Sequence, residues 1–298
     1  MTELLMPTTE DQTSARSAPT IRLLAACLDQ PGAIQTVHRF LLERGIELSG
    51  LEQHRAGSGP GTAYLRMELR LPPESSPDDF EDDFLTSVGE PFDMRWFTAV
   101  AKQKRCAVLV SRADHCLLDL LWQHQRGRLG ADIGLVVSNH SDLRELVESF
   151  AIPFHHVPVP ADDRDDAERQ LARLLHGRCE FVVLARYMRI LSASFLADVG
   201  VPVINVHHSL LPAFVGASPY ERASRRGVKM IGATAHYVTE ELDAGPIIEQ
   251  EVQRVSHRED GVALRQLGER IESTVLTRAV RWHADDRLLI HDAHVAVF

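Results

Sequence analysis

Cys106-Ala107-Val108-Leu109-Val110 is an unbroken apolar run that gives way, from about Asp114, to a helical pattern. Ile133–Val137 repeats the arrangement, with a helix from about Ser141, and Phe154–Val157 precedes a charged helical stretch, Asp162–His176. Phe181–Leu184 and Val201–Val206 complete the set, Ile231–Val238 adds a further strand, Leu264–Ala279 a late helix, and the chain ends in Ala293–Phe298. Strands that are apolar at every position are buried on both faces, and strands alternating with helices build a mostly parallel sheet covered on both sides. Residues 105–298 are therefore expected to form one α/β domain.

Upstream, the pattern differs. Ile21–Leu28 is strand-like and leads through Asp29-Gln30-Pro31-Gly32 into a helix on which Ile34, Val37 and Leu41 recur at helical spacing. Asp29 is placed to cap this helix and Pro31 to occupy its first turn. Arg44-Gly45 closes it. Strand-like runs at about Ile46–His54 and Ala63–Leu71 flank a glycine-rich hairpin loop, Gly57–Gly61. A helix over Asp78–Val88 and a short strand over Pro91–Phe97 follow. The order β-α-β-β-α-β is a ferredoxin-like pattern spanning residues 21–98. Residues 99–104 read as a linker, and residues 1–20, rich in Thr, Ser, Pro and acid, as a tail without the basic and apolar regions of a signal peptide.

Composition narrows the partners. With 298 residues and 44% apolar content, the chain can build a core without disulfides. A net charge of −10 argues against a nucleic-acid footprint and against docking on anionic membranes. No apolar run approaches the roughly 20 residues of a membrane span. Cys27, Cys106, Cys116 and Cys179 show neither metal-finger spacing nor a disulfide framework, and read as buried free thiols of a cytoplasmic protein. The turn Ser111-Arg112-Ala113-Asp114-His115 has no glycine, so it offers no cradle for the phosphates of NAD, FAD or ATP.

Reactive residue types concentrate in two stretches. Asn205-Val206-His207-His208-Ser209-Leu210-Leu211-Pro212-Ala213-Phe214 begins at the carboxyl end of a predicted strand, where ligands bind in open α/β sheets. Alternation sends Asn205 and His207 to the same side. Ile231–Val238 runs into an acidic loop carrying Asp243, with Gly245-Pro246 turning the chain back. Taken singly, each residue has a plainer reading: a surface or packed histidine, a turn aspartate. Adjacent His207 and His208 point oppositely and have no third ligand at zinc spacing, so no metal is expected. His115, His155, His156, His236 and His257 are read as ordinary surface or core histidines.

Together these stretches resemble a family. Asn-x-His-x-Ser-Leu-Leu-Pro is similar to the signature of folate-dependent formyl-transfer enzymes, in which this Asn, this His and a later Asp form the catalytic trio; the matching positions are Asn205, His207 and Asp243. Tyr187-Met188-Arg189-Ile190-Leu191-Ser192 resembles the segment lining the pterin pocket. The stretches His207–Tyr220, Gly232–Tyr237, Leu242–Gln250 and Ser111–Leu117 are similar to the formyltetrahydrofolate deformylases, and Asp29–Gly32 resembles the start of the ACT regulatory domain those enzymes carry. Two segments depart from the pattern: Pro31-Gly32-Ala33-Ile34, which bears on effector binding, and the chain end at His291–His294.

The resemblance implies an ACT domain followed by a Rossmann-like formyltransferase domain that hydrolyses 10-formyltetrahydrofolate to tetrahydrofolate and formate, with no tightly bound cofactor. Asn205 would donate to the oxyanion, and His207 would stabilise it or shuttle a proton to N10. Asp243 would orient water, accept its proton, or hold His207 charged. Met188, Arg189, Ile190, Leu191 and Val238 would meet the folate, Arg189 through the glutamate carboxylate. The ACT domain implies a homo-oligomer with an amino-acid effector, glycine or methionine, near Asp29, Gly32 and Ile34. Two rival readings stand beside it: a formyltransferase acting on a small amine, and a folate or amino-acid sensor without turnover.

Overall fold

Alternation along Thr20–Leu28 (β1) sends Ile21, Leu23, Ala25 and Cys27 to one face, where they pack with Val37, Phe40 and Leu41 of the helix Ala33–Glu43 (α1). Glu47–Ala56 (β2) and Thr62–Arg70 (β3) follow, then Pro77–Phe84 (α2), a single π turn over Leu85–Gly89, and Arg95–Val100 (β4). The four strands pair antiparallel in the order β2-β3-β1-β4. With two helices on one face, this is the predicted ferredoxin-like arrangement. Phe84 is fully buried, edge-on to Phe40 at 5.4 Å and stacked with Phe80 at 5.7 Å. Fully burying side chains of this size stabilises the fold by about 1.5–3 kcal/mol each.

The coordinates were obtained as a computed structural model that describes residues 18–56, 61–160, 164–212, 219–291 and 294–298. Most of the expected tail, the tip of the 57–61 loop, residues 161–163 of the charged helix, the segment from Ala213 and residues 292–293 lie outside these. The chain divides at Ala101/Lys102 into two units. The second runs Lys104–Val110 (β5), His115–Gln125 (α3), Ala131–Ser138 (β6), Arg144–Ser149 (α4), Phe154–His156 (β7), Arg164–Leu175 (α5), Phe181–Ala185 (β8), Ala193–Val199 (α6), Val203–His207 (β9), Pro219–Arg226 (α7), Met230–Tyr237 (β10), Ile247–Arg254 (β11) and Gly261–Ala284 (α8). A terminal hairpin of Leu288–His291 (β12) and His294–Val297 (β13) closes the chain.

Seven strands form one sheet in the order β11-β10-β9-β8-β5-β6-β7. The pairings from β9 to β7 are parallel, while β9-β10 and β10-β11 are antiparallel. Cys106, Val108 and Val110 face a layer with Leu117, Leu121, Val275 and Ala279 of α3 and α8. Ala107 and Leu109 face the opposite layer, with Leu171 and Leu175 of α5 and Phe195 of α6. This two-faced burial explains why β5 reads as a continuous apolar run.

Several local expectations are corrected. Asp29 does not cap α1: Gly32, at φ 91°, is the N-cap, and Asp29 instead pairs with Arg55. Pro91–Met94 is a turn with Asp93 at φ 46°, so β4 begins at Arg95 and absorbs residues 99–100 of the expected linker, while Lys104 already belongs to β5. The elements α6, α7, β11 and β12 were not foreseen. β11 buries only Ile248 and is otherwise polar or half-exposed, as an edge strand with one solvated face. Among the described residues, all four cysteines are free, and no helix is long and apolar enough to cross a membrane.

Candidate active site

β9 ends at His207, two residues beyond Asn205, so the two side chains lie on the same side of the strand. The antiparallel neighbour β10 sets His236 opposite Asn205 and Thr234 opposite His207. Side chains in such directly opposed positions touch. The Asn205 Nδ2 stands 3.2 Å from the His236 Nε2. The other His236 nitrogen, Nδ1, lies 2.9 Å from the Tyr237 carbonyl oxygen. A carbonyl only accepts, so Nδ1 carries a proton, while Nε2 faces both the Asn205 amide and the Asp243 carboxylate. The Asn205 amide, half-buried near the end of β9, brings N–H donors to this point.

Asp243 reaches the same point from the loop after β10. Its Oδ2 lies 3.1 Å from His207 Nδ1 and its Oδ1 3.6 Å from His236 Nε2. The loop is shaped for this. Tyr237 N–H donates to the Pro246 carbonyl at 3.0 Å, closing the base. Gly245 sits so close to that base that an added Cβ would lie 1.8 Å from the Tyr237 carbonyl oxygen. Asp243 itself is in the left-handed region, φ 55°, a conformation that Asp tolerates better than most residues. Its carboxyl is held well below the usual carboxylate range, chiefly by the His207 hydrogen bond and then by the His236 ring, against the opposing effect of partial burial. It is therefore an anion near neutral pH.

With Nδ1 committed to Asp243, the His207 Nε2 is left buried without a hydrogen-bond partner among the described residues. Unpaired buried polar atoms are uncommon and costly, by about 1–3 kcal/mol. This one is an open position for an incoming group. The chain beyond it is fixed by one hydroxyl. Thr234 Oγ1 donates to Ser209 O at 2.8 Å and accepts from Leu211 N–H at 3.0 Å and from Gln250 Nε2 at 2.9 Å. Thr234 is fully buried.

The expected ligand-lining segment follows β8, the strand paired with β9. Met188, Arg189, Ile190 and Leu191 border a cavity of about 330 Å³ with Val159, Arg164 and Tyr187. Met188 and Ile190 are about 60% exposed. Asp243 borders a different cavity, of about 370 Å³, with Leu211, Pro212 and Ile247. Val238 packs against the apolar layer that contains Tyr187 and Leu184, its N–H bonded to Val203 O at 2.8 Å. In the first unit, Gly32 is open on its Cβ side and Ile34 is half-buried against the core.

The sequence reading missed His236, which orders both Asn205 and Asp243, and His115, which is bonded to the buried Glu272. The signal for His236 was its place directly across from Asn205, but that register follows only once β10 is known to run antiparallel to β9.

Residues 104–280 match the formyl transferase family. The formyltetrahydrofolate deformylase of Mycobacterium bovis is 47% identical over 279 residues, covering 93% of this chain and 90% of the relative. The enzyme of that name from Bacillus subtilis is 44% identical, covering 93% of each. The crystal structure of a formyltetrahydrofolate deformylase from Pseudomonas syringae superposes with a TM-score of 0.85 at 44% identity, covering 96% of both chains.

Proposed function

Because the chain belongs to the formyltetrahydrofolate deformylases of the formyl transferase family, we propose that it hydrolyses 10-formyltetrahydrofolate to tetrahydrofolate and formate. The observation that carries the assignment to this site is the unpartnered His207 Nε2, buried beside Asn205 and backed by the Asp243 anion.

The formyl carbon is attacked by water. As the water oxygen bonds to it, His207 Nε2 takes a water proton, and the carbonyl oxygen becomes an oxyanion that receives an N–H of Asn205. Asp243 balances the imidazolium so formed and keeps its Nδ1 proton in place, as the buried aspartate does in serine-protease triads. His207 then delivers its proton to N10 as the carbon–nitrogen bond breaks, releasing tetrahydrofolate, and the formic acid loses its remaining proton to solvent. A carboxyl held so far below its usual range is a weak proton acceptor, so Asp243 serves as the partner of His207 rather than as the base.

Met188 and Ile190 offer exposed apolar contact for the flat pterin, Leu191 and Val238 back that segment, and Arg189 meets the glutamate carboxylate. Within the first unit, residues 21–98 act as an ACT-like regulatory domain that binds glycine or methionine near Asp29, Gly32 and Ile34 within a cytoplasmic homo-oligomer. The full chain given 10-formyltetrahydrofolate without an amine acceptor should release formate, and calorimetry with either amino acid should register binding. Folate binding without formate release would refute the hydrolytic reading.

A further inference from the structure

Met188, Arg189, Ile190 and Leu191 all lie between β8 and α6, on a segment that is neither helix nor strand. A backbone without a ladder of its own is fixed by whatever grips it from neighbouring elements. Near the start of the segment, Met188 N–H donates to the Ser111 hydroxyl at 3.0 Å, and that hydroxyl donates to Asn139 Oδ1 at 2.8 Å. Further on, Arg189 N–H donates to the Tyr187 carbonyl at 2.9 Å.

At the far end the grip is a carboxylate. Glu168 of α5 is only 8% exposed. Its Oε1 accepts from Ser192 N–H at 3.1 Å, and its Oε2 accepts from the Ser192 hydroxyl. Arg164, one turn earlier on α5, donates from Nε to Oε1 at 3.0 Å and balances the charge. The Ser192 hydroxyl also accepts from Phe195 N–H at 3.1 Å and so caps α6. The cap needs that hydroxyl alone; a serine with no carboxylate behind it would serve α6 as well. Nor does a buried ion pair generally stabilise a fold more than packed apolar side chains in its place. What the carboxylate adds is direction. Two oxygens that hold the N–H and the O–H of one residue fix where the segment ends and how its last peptide is turned. Glu168 also borders the cavity of about 330 Å³ onto which Met188, Arg189, Ile190 and Leu191 open.

We propose that Glu168 is a positioning residue for folate binding: through Ser192 it holds residues 188–191 in the shape that receives the ligand. The ordering of this segment is then complete in the folded protein and is not charged against binding. The inference rests on the reading of residues 188–191 as folate contacts, and it goes beyond that reading by naming the group on another element that sets the affinity.

The test is the affinity of the full chain for tetrahydrofolate by calorimetry, with KM and kcat for 10-formyltetrahydrofolate measured alongside. Glu168→Gln keeps the volume but loses the charge and one of the two acceptor oxygens. It should weaken tetrahydrofolate binding and raise KM, each by about tenfold, with kcat within about twofold of the wild type. Ser192→Ala should lose affinity to a similar extent, and Ser192→Thr, which keeps the hydroxyl, should restore most of it. Glu168→Gln/Ser192→Ala should bind no worse than the weaker single variant, because both changes break one tie. A Glu168→Gln protein that melts lower yet binds tetrahydrofolate like the wild type has lost only a structural contact and overturns the proposal, as do losses that add in the double variant. If Glu168→Gln does not fold, Ser192→Ala against Ser192→Thr carries the same comparison. A wild type that binds tetrahydrofolate without releasing formate removes the hydrolytic reading and leaves the affinity comparison standing; one that binds no folate overturns both.

Discussion

Asp243→Asn is the most discriminating change to the site. Asparagine keeps the volume, tolerates the left-handed backbone at φ 55°, and can still accept the His207 Nδ1 proton, so the loop should stay as it is. What is lost is the charge. The carboxylate lies 3.1 Å from the ring nitrogen it supports, which sets the separation of the charge centres at about 4 Å. At an effective dielectric of about 20, that pair is worth about 4 kcal/mol once His207 becomes an imidazolium, or roughly a thousandfold in rate. Because the pair forms fully only in the transition state, the loss should fall on kcat and leave KM within a few-fold. Stopped-time formate release over a range of 10-formyltetrahydrofolate concentrations separates the two. A kcat within tenfold of the wild type, or a loss borne wholly by KM, would refute the assignment of Asp243 as the charge partner of His207. Acid stability gives a second readout. A carboxyl whose folded pKa is depressed contributes stability that is complete above its unfolded value, 3.8, and is lost as pH falls toward the folded one. Asp243→Asn should therefore flatten the acid limb of unfolding below about pH 4.

Other changes probe separate parts. Asn205→Ala removes an oxyanion donor and should lower kcat by about 10²–10³, with tetrahydrofolate binding, measured by calorimetry, retained. Gly245→Ala drives a Cβ into the Tyr237 carbonyl, so it should cost stability and turnover together; a variant with wild-type kcat would show that the loop adjusts without moving Asp243. His283 on α8 is half-buried beside Phe181, its ring centroid 4.6 Å away, and accepts from Tyr237 OH at 2.9 Å; desolvation first, and then Lys104, pushes its pKa down to about 3. The unfolded chain takes up this proton near 6.5 and the folded one does not, so the folded state loses about 1.4 kcal/mol per pH unit below 6.5, roughly 2 kcal/mol by pH 5. Urea unfolding of His283→Asn at pH 7 and pH 5 should show that difference reduced, and an unchanged difference would point to other groups.

The parallel core was legible because each of its strands is buried on two faces, and double burial leaves a contiguous apolar run such as Cys106–Val110. The antiparallel edge was not. β11 presents Glu249, Gln250, Glu251, Gln253 and Arg254 in eight residues, and nothing in such a stretch separates an edge strand from a loop. That gap hid His236 as well, since its nearness to Asn205 depends on the direction of β10. Asn205, His207 and Asp243 could be picked out because motif and order pointed to them together. The tie between Glu168 and Ser192 could not, as the two residues lie 24 positions apart and meet only through the packing of α5 on α6. Asp29 shows the opposite failure: a good capping residue by type, it was drawn off by Arg55 on the neighbouring hairpin.

Thr234 of β10 joins the loop after β9 to its own strand and to the edge strand β11 through a single oxygen atom. The amide of Leu211 lies outside any strand ladder, yet it can exchange with solvent only when β10 yields its grip on that hydroxyl. Its deuterium uptake should therefore track the opening of the sheet edge rather than the fraying of a surface turn. One slow amide, two residues past Ser209, would then report how long the chain beyond His207 stays in register, in the resting protein and without any substrate present.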